Sequence, residues 1–167
     1  MGSLVTIRVP DEFAERVKTF CKQRQYTPGD MTVTLIEPSL LESISGIEQK
    51  LRSFCLAQKD FNVVIGGPSC YNNQLLYLNV LPGYIQMTRN ALLDYLKIPA
   101  RDKAYRPHLT FMRSLPGREL DLNRMLTEAQ QHFTTPFSFT ASQLELYTQQ
   151  HSNAPFKPFC SVEFTGR

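Results

Sequence analysis

Two short segments with the same alternation of side chains, one in each half of the chain, constrain the fold most strongly. In the first half the alternating polar pair is Thr32 and Thr34, and in the second half it is His108 and Thr110. Alternate side chains of a β-strand point to the same face of the sheet. Each segment therefore predicts a strand with two polar side chains on one face and apolar side chains on the other.

The elements around these two segments follow a similar order in both halves of the chain. Strands are predicted at Leu4–Val9, Met31–Ile36, Phe61–Ile65, Leu75–Val80 and His108–Met112. Helices are predicted from Asp11, from Leu40 to about Leu56, from Gly83 to about Leu96, and over Leu120–Phe133. The chain closes with a predicted hairpin of Phe137–Tyr147 and Pro158–Phe164, and Arg101–Lys103 is expected in a loop.

This order of strands and helices predicts an α+β fold with antiparallel sheets. Two similar lobes would place the two motif strands opposite each other across a central cleft, with the helices outside. We expect residues 1–167 to form a single bilobal domain, because that length can bury a sizeable hydrophobic core.

The composition is that of an ordinary globular protein, with 42% hydrophobic and 20% charged residues. No apolar run reaches the roughly 18 residues of a membrane span. The net charge of +3 permits a polyanionic partner but lacks the pronounced basic face of proteins that bind duplexes without sequence preference. The four cysteines lack metal-site or disulfide spacing, which favours free thiols in the cytoplasm. We expect a monomer without a cofactor or metal ion.

These features resemble the two-histidine (2H) phosphoesterase superfamily, which includes the LigT-like RNA 2′,3′-cyclic phosphodiesterases, also called 2′-5′ RNA ligases. The family signature is two H-x-T-x motifs about one lobe apart. The resemblance covers nearly the whole chain and rests on the intact motif His108–Phe111, its neighbours Arg106, Pro107 and Arg113, the opening Ile7–Glu12, and the closing segments Leu144–Tyr147 and Phe159–Phe164. The departure is Thr32, because the family has histidine there.

The resemblance implies a catalytic cleft formed by His108, Thr110, Thr34 and Thr32, acting on cyclic or 2′-5′-linked phosphodiesters without a metal. In such a site one imidazole removes a proton from the attacking oxygen and the other donates one to the leaving oxygen. The threonine hydroxyls bind phosphate oxygens. Thr32 can bind a phosphate but cannot exchange protons near pH 7. Losing one positioned acid or base costs about 10²–10⁴ in rate, so we expect impaired activity.

Other polar and aromatic residues are candidates for binding the substrate. Arg113 and Arg106 can hold phosphates; the alternative is that they are surface residues. Aromatic rings that can stack on a base, or instead pack in the core or anchor a loop, are Tyr105, Tyr147 and Phe156. His151 lies in a polar loop that can reach the cleft and replace the missing imidazole, or is simply exposed.

Three functions are compatible with this sequence. The first is an enzyme that cleaves 2′,3′-cyclic or 2′-5′-linked nucleotide or RNA phosphodiesters, with activity reduced by Thr32. The second is a module that binds a nucleotide or RNA end without turnover. The third is an unrelated α+β interaction domain in which the motif arose by chance. Thr32 is equally compatible with a natural loss of function, a natural change of role, and an engineered substitution.

Overall fold

The computed structural model describes residues 2–99, 104–114 and 121–167. The strands are β1 (Gly2–Arg8), β2 (Thr32–Ile36), β3 (Phe61–Tyr71), β4 (Leu75–Val80), β5 (His108–Arg113), β6 (Phe137–Ala141), β7 (Gln143–Gln149) and β8 (Lys157–Glu163). The helices are α1 (Asp11–Gln23), α2 (Pro38–Leu41), α3 (Ile47–Cys55), α4 (Gly83–Tyr95) and α5 (Leu122–His132). The predicted loop at Arg101–Lys103 lies outside the described residues.

The strands form two antiparallel sheets of four strands each. The first has the order β2-β1-β7-β8 and the second has the order β5-β4-β3-β6. The two motif strands, β2 and β5, are therefore each at the edge of a sheet, and they contact each other. This arrangement confirms the predicted α+β fold with two antiparallel sheets.

The two motif strands have the predicted alternation between a polar and an apolar face. In β2, Val33 and Leu35 are fully buried, and in β5, Leu109 and Phe111 are almost fully buried. Burying each of these side chains contributes roughly 1.5–3 kcal/mol relative to leaving it exposed. Because side chains alternate along a strand, this burial leaves the threonines and the histidine on the opposite face.

The helices on the outside link the two sheets. Helix α1 follows the first strand of the first sheet but packs against β5 of the second sheet. In this contact the Cys21 thiol donates a hydrogen bond to the Phe111 carbonyl oxygen at 3.1 Å, and the Phe20 and Phe111 rings meet edge-on with centroids 5.9 Å apart. Burial raises the pKa of the Cys21 thiol to about 11, so the thiol stays protonated and can donate. Helix α4 in turn contacts both β3 and β2.

The prediction of one continuous helix from Leu40 to about Leu56 was wrong. The chain instead forms α2 and α3 as separate helices, and Gly46 between them has a left-handed backbone with φ of 63°. Glycine adopts this conformation without the steric cost that a Cβ imposes. The apolar periodicity continues across the break, which is why the pattern alone did not reveal it.

Two strand predictions also needed correction. Strand β3 does not stop at Gly66-Gly67-Pro68 but continues to Tyr71, with an irregularity in its pairing to β4 between Ile65 and Pro68. The segment predicted as one strand, Phe137–Tyr147, is divided into β6 and β7, which belong to different sheets. The chain crosses between the sheets at Ser142, whose carbonyl accepts a hydrogen bond from the Phe164 amide at 2.8 Å.

Two further findings concern the helices and the cysteines. None of the helices in the described ranges is long and apolar enough to cross a membrane. All four cysteines, Cys21, Cys55, Cys70 and Cys160, are free thiols.

Candidate functional site

A cleft of about 460 Å³ lies between the two sheets, at the contact of β2 with β5. All four residues predicted to be catalytic line it: Thr32 and Thr34 from β2, and His108 and Thr110 from β5. The other residues of its lining are Leu4, Tyr26, Thr27, Gly29, Asp30, Met31, Phe111, Met112, Arg113, Tyr147, Pro155 and Phe156. Two threonines thus share one cleft with a histidine and a third threonine.

His108 is exposed, and its ring is held from two sides. Its Nδ1 lies 2.7 Å from the carbonyl oxygen of Arg106, and its ring meets that of Tyr77 at a centroid distance of 5.3 Å. A carbonyl oxygen only accepts hydrogen bonds, so Nδ1 carries the proton in this contact. Nε2 is then the nitrogen that can exchange a proton with a ligand.

Three threonines of the cleft, Thr32, Thr34 and Thr110, are half-buried, each on a strand at a sheet edge. Thr34 is paired with Thr6 of β1, and Thr110 is paired with Tyr77 of β4. Such hydroxyls can donate to the non-bridging oxygens of a phosphate. The main chain of each threonine is held by hydrogen bonds to one neighbouring strand, β1 or β4. This pairing fixes the positions of the hydroxyl groups along each strand.

Behind the cleft, Tyr105 joins the strand β2 to the segment that enters β5. Its hydroxyl donates to the carbonyl oxygen of Thr34 at 2.8 Å, and the guanidinium of Arg89 lies 4.4 Å from the centroid of its ring. Arg89 also donates to the carbonyl oxygen of Leu35 at 3.0 Å and to the carboxylate of Glu37 at 3.1 and 3.3 Å. Burial raises the pKa of the Tyr105 phenol well above its usual value, an effect that Arg89 partly opposes, so the phenol remains a donor.

An ion pair lies beside the cleft, next to Thr32. The Nε of Arg8 donates to Glu145 at 2.8 Å, and its Nη2 donates to the hydroxyl of Tyr147 at 3.4 Å. The hydrogen bond to Glu145 raises the pKa of Arg8, against the effect of burial. Arg8 is paired with Thr32 across the β1–β2 ladder, so a permanent positive charge stands on the same sheet face as Thr32. The buried oxygens Oε2 of Glu145 and Oγ1 of Thr6 have no hydrogen-bond partner among the described residues.

The predicted substrate-binding residues divide into two groups. Arg113 and Tyr147 line the cleft, whereas Tyr105, Arg106 and His151 are not part of its described lining. Arg106 is exposed, and its carbonyl holds the ring of His108. The loop that carries His151 does reach the cleft, but through Pro155 and Phe156.

The turn before β2 is a part of the site that sequence reasoning did not assign to it. Residues Gly29, Asp30 and Met31 all line the cleft. A Cβ placed on Gly29 would lie 3.5 Å from the carbonyl oxygen of Thr110, so this turn is close to β5. The sequence marks a turn here through its proline and glycine, but no local signal shows that the turn closes against the other sheet. Within the described ranges, no group of three or more His, Cys, Asp or Glu side chains is arranged to hold a metal ion.

Comparison with known proteins places this site in a family context. Residues 8–153 match the 2′-5′ RNA ligase superfamily. The structure is similar to that of TT0787 of Thermus thermophilus, with a TM-score of 0.67, 14% identity and 99% of each chain covered. It is also similar to E. coli LigT complexed with NADP+, with a TM-score of 0.64, 16% identity and 98% of each chain covered. For E. coli LigT complexed with 3′-AMP the TM-score is 0.63, with 14% identity and 98% of each chain covered. Among curated proteins, none matches this chain.

The two lobes, the edge strands facing one cleft and the H-x-T motif define a LigT-like 2H phosphoesterase fold. Because the family match spans most of its length, the chain belongs to the 2′-5′ RNA ligase superfamily. Thr32, which the resemblance predicts to occupy the position of the family's first histidine, lines the cleft together with His108.

Proposed function

We propose that the cleft binds a 2′,3′-cyclic or 2′-5′-linked nucleotide or RNA phosphodiester and cleaves it slowly by metal-independent acid–base chemistry. The observation that carries this proposal is that His108 and Thr110 share one cleft with Thr32 and Thr34. The complexes of LigT with NADP+ and with 3′-AMP support a nucleotide as the class of ligand. In this proposal Arg113 binds a phosphate, whereas Tyr147, although it lines the cleft, is buried and presents little surface to a base.

The arrangement of the cleft suits in-line displacement at phosphorus. In such a reaction the attacking and leaving oxygens lie on opposite sides of the phosphorus atom, so a single imidazole cannot serve both at once. Both β2 and β5 contribute residues to the cleft, and in this proposal they flank the phosphorus atom, with one position for proton transfer on each strand. On the β5 side this group is His108, whereas Thr32 on the β2 side binds phosphate oxygens without transferring a proton.

A second candidate function is the capture of a nucleotide or RNA end without turnover. The threonines, His108 and Arg113 still form a polar surface of phosphate size after the loss of one imidazole. The observation that favours this alternative is Thr32 itself, since it removes proton transfer on one side while keeping a hydrogen-bond donor.

Measuring turnover and binding in the same variants separates the two functions. Hydrolysis of adenosine 2′,3′-cyclic phosphate and of a 2′-5′ dinucleotide is measured for the parent chain, Thr32→His and His108→Ala. We expect slow turnover by the parent, faster turnover in Thr32→His, and a loss of about 10²–10⁴-fold in His108→Ala. Isothermal titration with the cyclic phosphate reports binding.

The matched control is Thr140→His, which places an imidazole at an exposed position on β6, outside the described lining of the cleft. This variant should keep the parent rate. An inert parent that binds the nucleotide, with turnover gained in Thr32→His, would establish the binding module instead. If neither the parent nor Thr32→His binds or cleaves any of these ligands, the assignment of the cleft is wrong.

A further inference from the structure

We propose that Asp30 is the general base of this cleft, supplying on the β2 side the proton acceptor that Thr32 lacks. The inference rests on the proposed function and deepens it, because it replaces a pair of imidazoles by a carboxylate and an imidazole. Asp30 lines the same cleft as Thr32, Thr34, His108 and Thr110. It comes two residues before Thr32, on the side of the cleft where a proton acceptor is absent.

The turn that carries Asp30 lies against the strand that carries His108. Its neighbour Gly29 is so close to β5 that an added Cβ would be in van der Waals contact, 3.5 Å, with the carbonyl oxygen of Thr110. The turn that carries Asp30 therefore packs against β5 beside Thr110. It is also close to Tyr147, whose pKa is raised first by burial, then by Glu145, and additionally by the charge of Asp30.

The backbone around Asp30 has an unusual conformation. Asp30, Met31 and Thr32 all line the cleft. Between Asp30 and Thr32, Met31 has a left-handed backbone with φ of 47°, although it is not glycine. Such a conformation costs roughly 1–3 kcal/mol, and residues of this kind cluster at functional sites.

The negative charge of Asp30 is unfavourable for a cleft that binds phosphates. Its side chain is exposed and forms no ion pair with any described residue. A lone carboxylate in a cleft for phosphates repels the ligand and lowers its affinity. Service as a general base would account for its position, since a carboxylate oxygen can accept a proton from an attacking water molecule.

The proposed step conserves atoms and charge. Water attacks phosphorus and forms the new P–O bond, and its proton moves to a carboxylate oxygen of Asp30. The P–O bond to the ribose 2′ or 3′ oxygen breaks, and that oxygen takes the proton from Nε2 of protonated His108. A proton then returns from Asp30 to His108 through solvent. The product is a nucleoside phosphomonoester.

The test is the steady-state hydrolysis of adenosine 2′,3′-cyclic phosphate by the parent and by Asp30→Asn. We expect kcat to fall by about 10²–10⁴-fold in Asp30→Asn, the usual effect of losing a general base. KM should stay constant or decrease, because the repulsion between the carboxylate and the phosphate is removed. A residue that only binds the ligand gives the opposite pattern, because its loss raises KM and leaves kcat nearly unchanged.

Two further variants complete the experiment. In Asp30→Asn combined with Thr32→His, the new imidazole should restore turnover, which also shows that the asparagine variant is folded. Asp60→Asn, an exposed aspartate just before β3 and outside the described cleft lining, should keep the parent values.

Each remaining outcome decides between the proposals. If kcat is unchanged or rises in Asp30→Asn, Asp30 is not the base, although the phosphodiesterase assignment stands. If the parent binds the cyclic phosphate without cleaving it, the role of Asp30 is overturned and the binding module stands. If the parent neither binds nor cleaves it, the proposed function fails as well.

Discussion

At the scale of single residues, His108 owes its reactive geometry to the main chain rather than to a carboxylate. The Arg106 carbonyl oxygen accepts a hydrogen bond from Nδ1 at a nitrogen–oxygen distance of 2.7 Å, and the Tyr77 ring packs against the imidazole. Because Arg106 is only two residues away, the contact is set by the local backbone at the start of β5. The local backbone at the H-x-T motif of β5 therefore orients the imidazole of His108.

This contact predicts the tautomer of the neutral histidine. We expect His108 to carry its proton on Nδ1 and to leave Nε2 unprotonated, because the carbonyl oxygen can only accept. Long-range ¹H–¹⁵N correlation spectra of the histidine rings, recorded at alkaline pH, show which ring nitrogen carries the proton. His151 is the internal reference, since it is exposed and its ring has no hydrogen-bond partner among the described residues. Finding the proton of His108 on Nε2 would contradict the assignment.

At the scale of elements, the relative position of the two motif strands depends on side chains outside the cleft. Tyr105 and Arg89 both bind main-chain carbonyl oxygens of β2, those of Thr34 and Leu35. Tyr105 is three residues before His108, so a shift of this contact moves both sides of the cleft relative to each other. This positions the strands without placing either side chain in the described lining of the site.

Removing only the Tyr105 hydroxyl should destabilise the protein measurably. In Tyr105→Phe the ring still packs on Arg89, but the hydrogen bond to Thr34 is lost, which costs about 0.5–1.5 kcal/mol. For a chain of this size we expect the melting temperature to fall by about 1–6 °C. Calorimetry of the variant tests this, with Tyr71→Phe as the control because Tyr71 is 58% exposed at the end of β3. An unchanged melting temperature in Tyr105→Phe would show that this hydrogen bond contributes no stability.

The sequence predicted most of the local elements, but it missed the break at Gly46, the full length of β3 and the long-range arrangement of the strands. The alternation at Thr32 and His108 correctly predicted two strands with apolar faces, because this pattern depends only on neighbouring residues. The division of Phe137–Tyr147 between two sheets was not predictable, since both parts have the same strand pattern. The clustering of Arg8 with Glu145 and the approach of Gly29 to Thr110 arise from the pairing of distant segments, which leaves no local trace.

At the scale of the whole molecule, the two lobes are held together by helices that pack on the opposite sheet. The best example is the aromatic cluster between α1, α5 and β5. There the ring of Phe20 meets Phe111 and Phe133 with centroids 5.9 and 5.3 Å apart. The ring of His132 lies 5.3 Å from Phe20, and Arg24 stacks on the other side of the cluster, 3.7 Å from the centroid of Phe20.

His132 makes the stability of this cluster dependent on pH. Partial burial lowers its pKa, and the charges of Arg16 and Arg24 lower it further, although Arg24 is itself paired with Glu128. At this side chain the unfolded state therefore binds more protons than the folded state as the pH falls through about 6.5, so the contribution of His132 to stability decreases on acidification.

We expect the free energy of unfolding in urea to decrease from pH 7 to pH 5 by more in the parent than in His132→Gln. The exposed His151 provides the control His151→Gln, which should lose as much stability on acidification as the parent. An identical pH dependence of the parent and His132→Gln would rule out this role of His132.

The position of β2 and β5 at the edges of their sheets also matters for the solubility of the protein. An edge strand presents unpaired main-chain groups that can recruit a strand from another molecule. Here the two edges lie against each other, so the contact that creates the cleft also shields both edges. A substitution that separates the lobes would therefore expose two aggregation-prone edges at once. Selection against aggregation would thus preserve the cleft in such a fold, even in a chain whose chemistry had been lost.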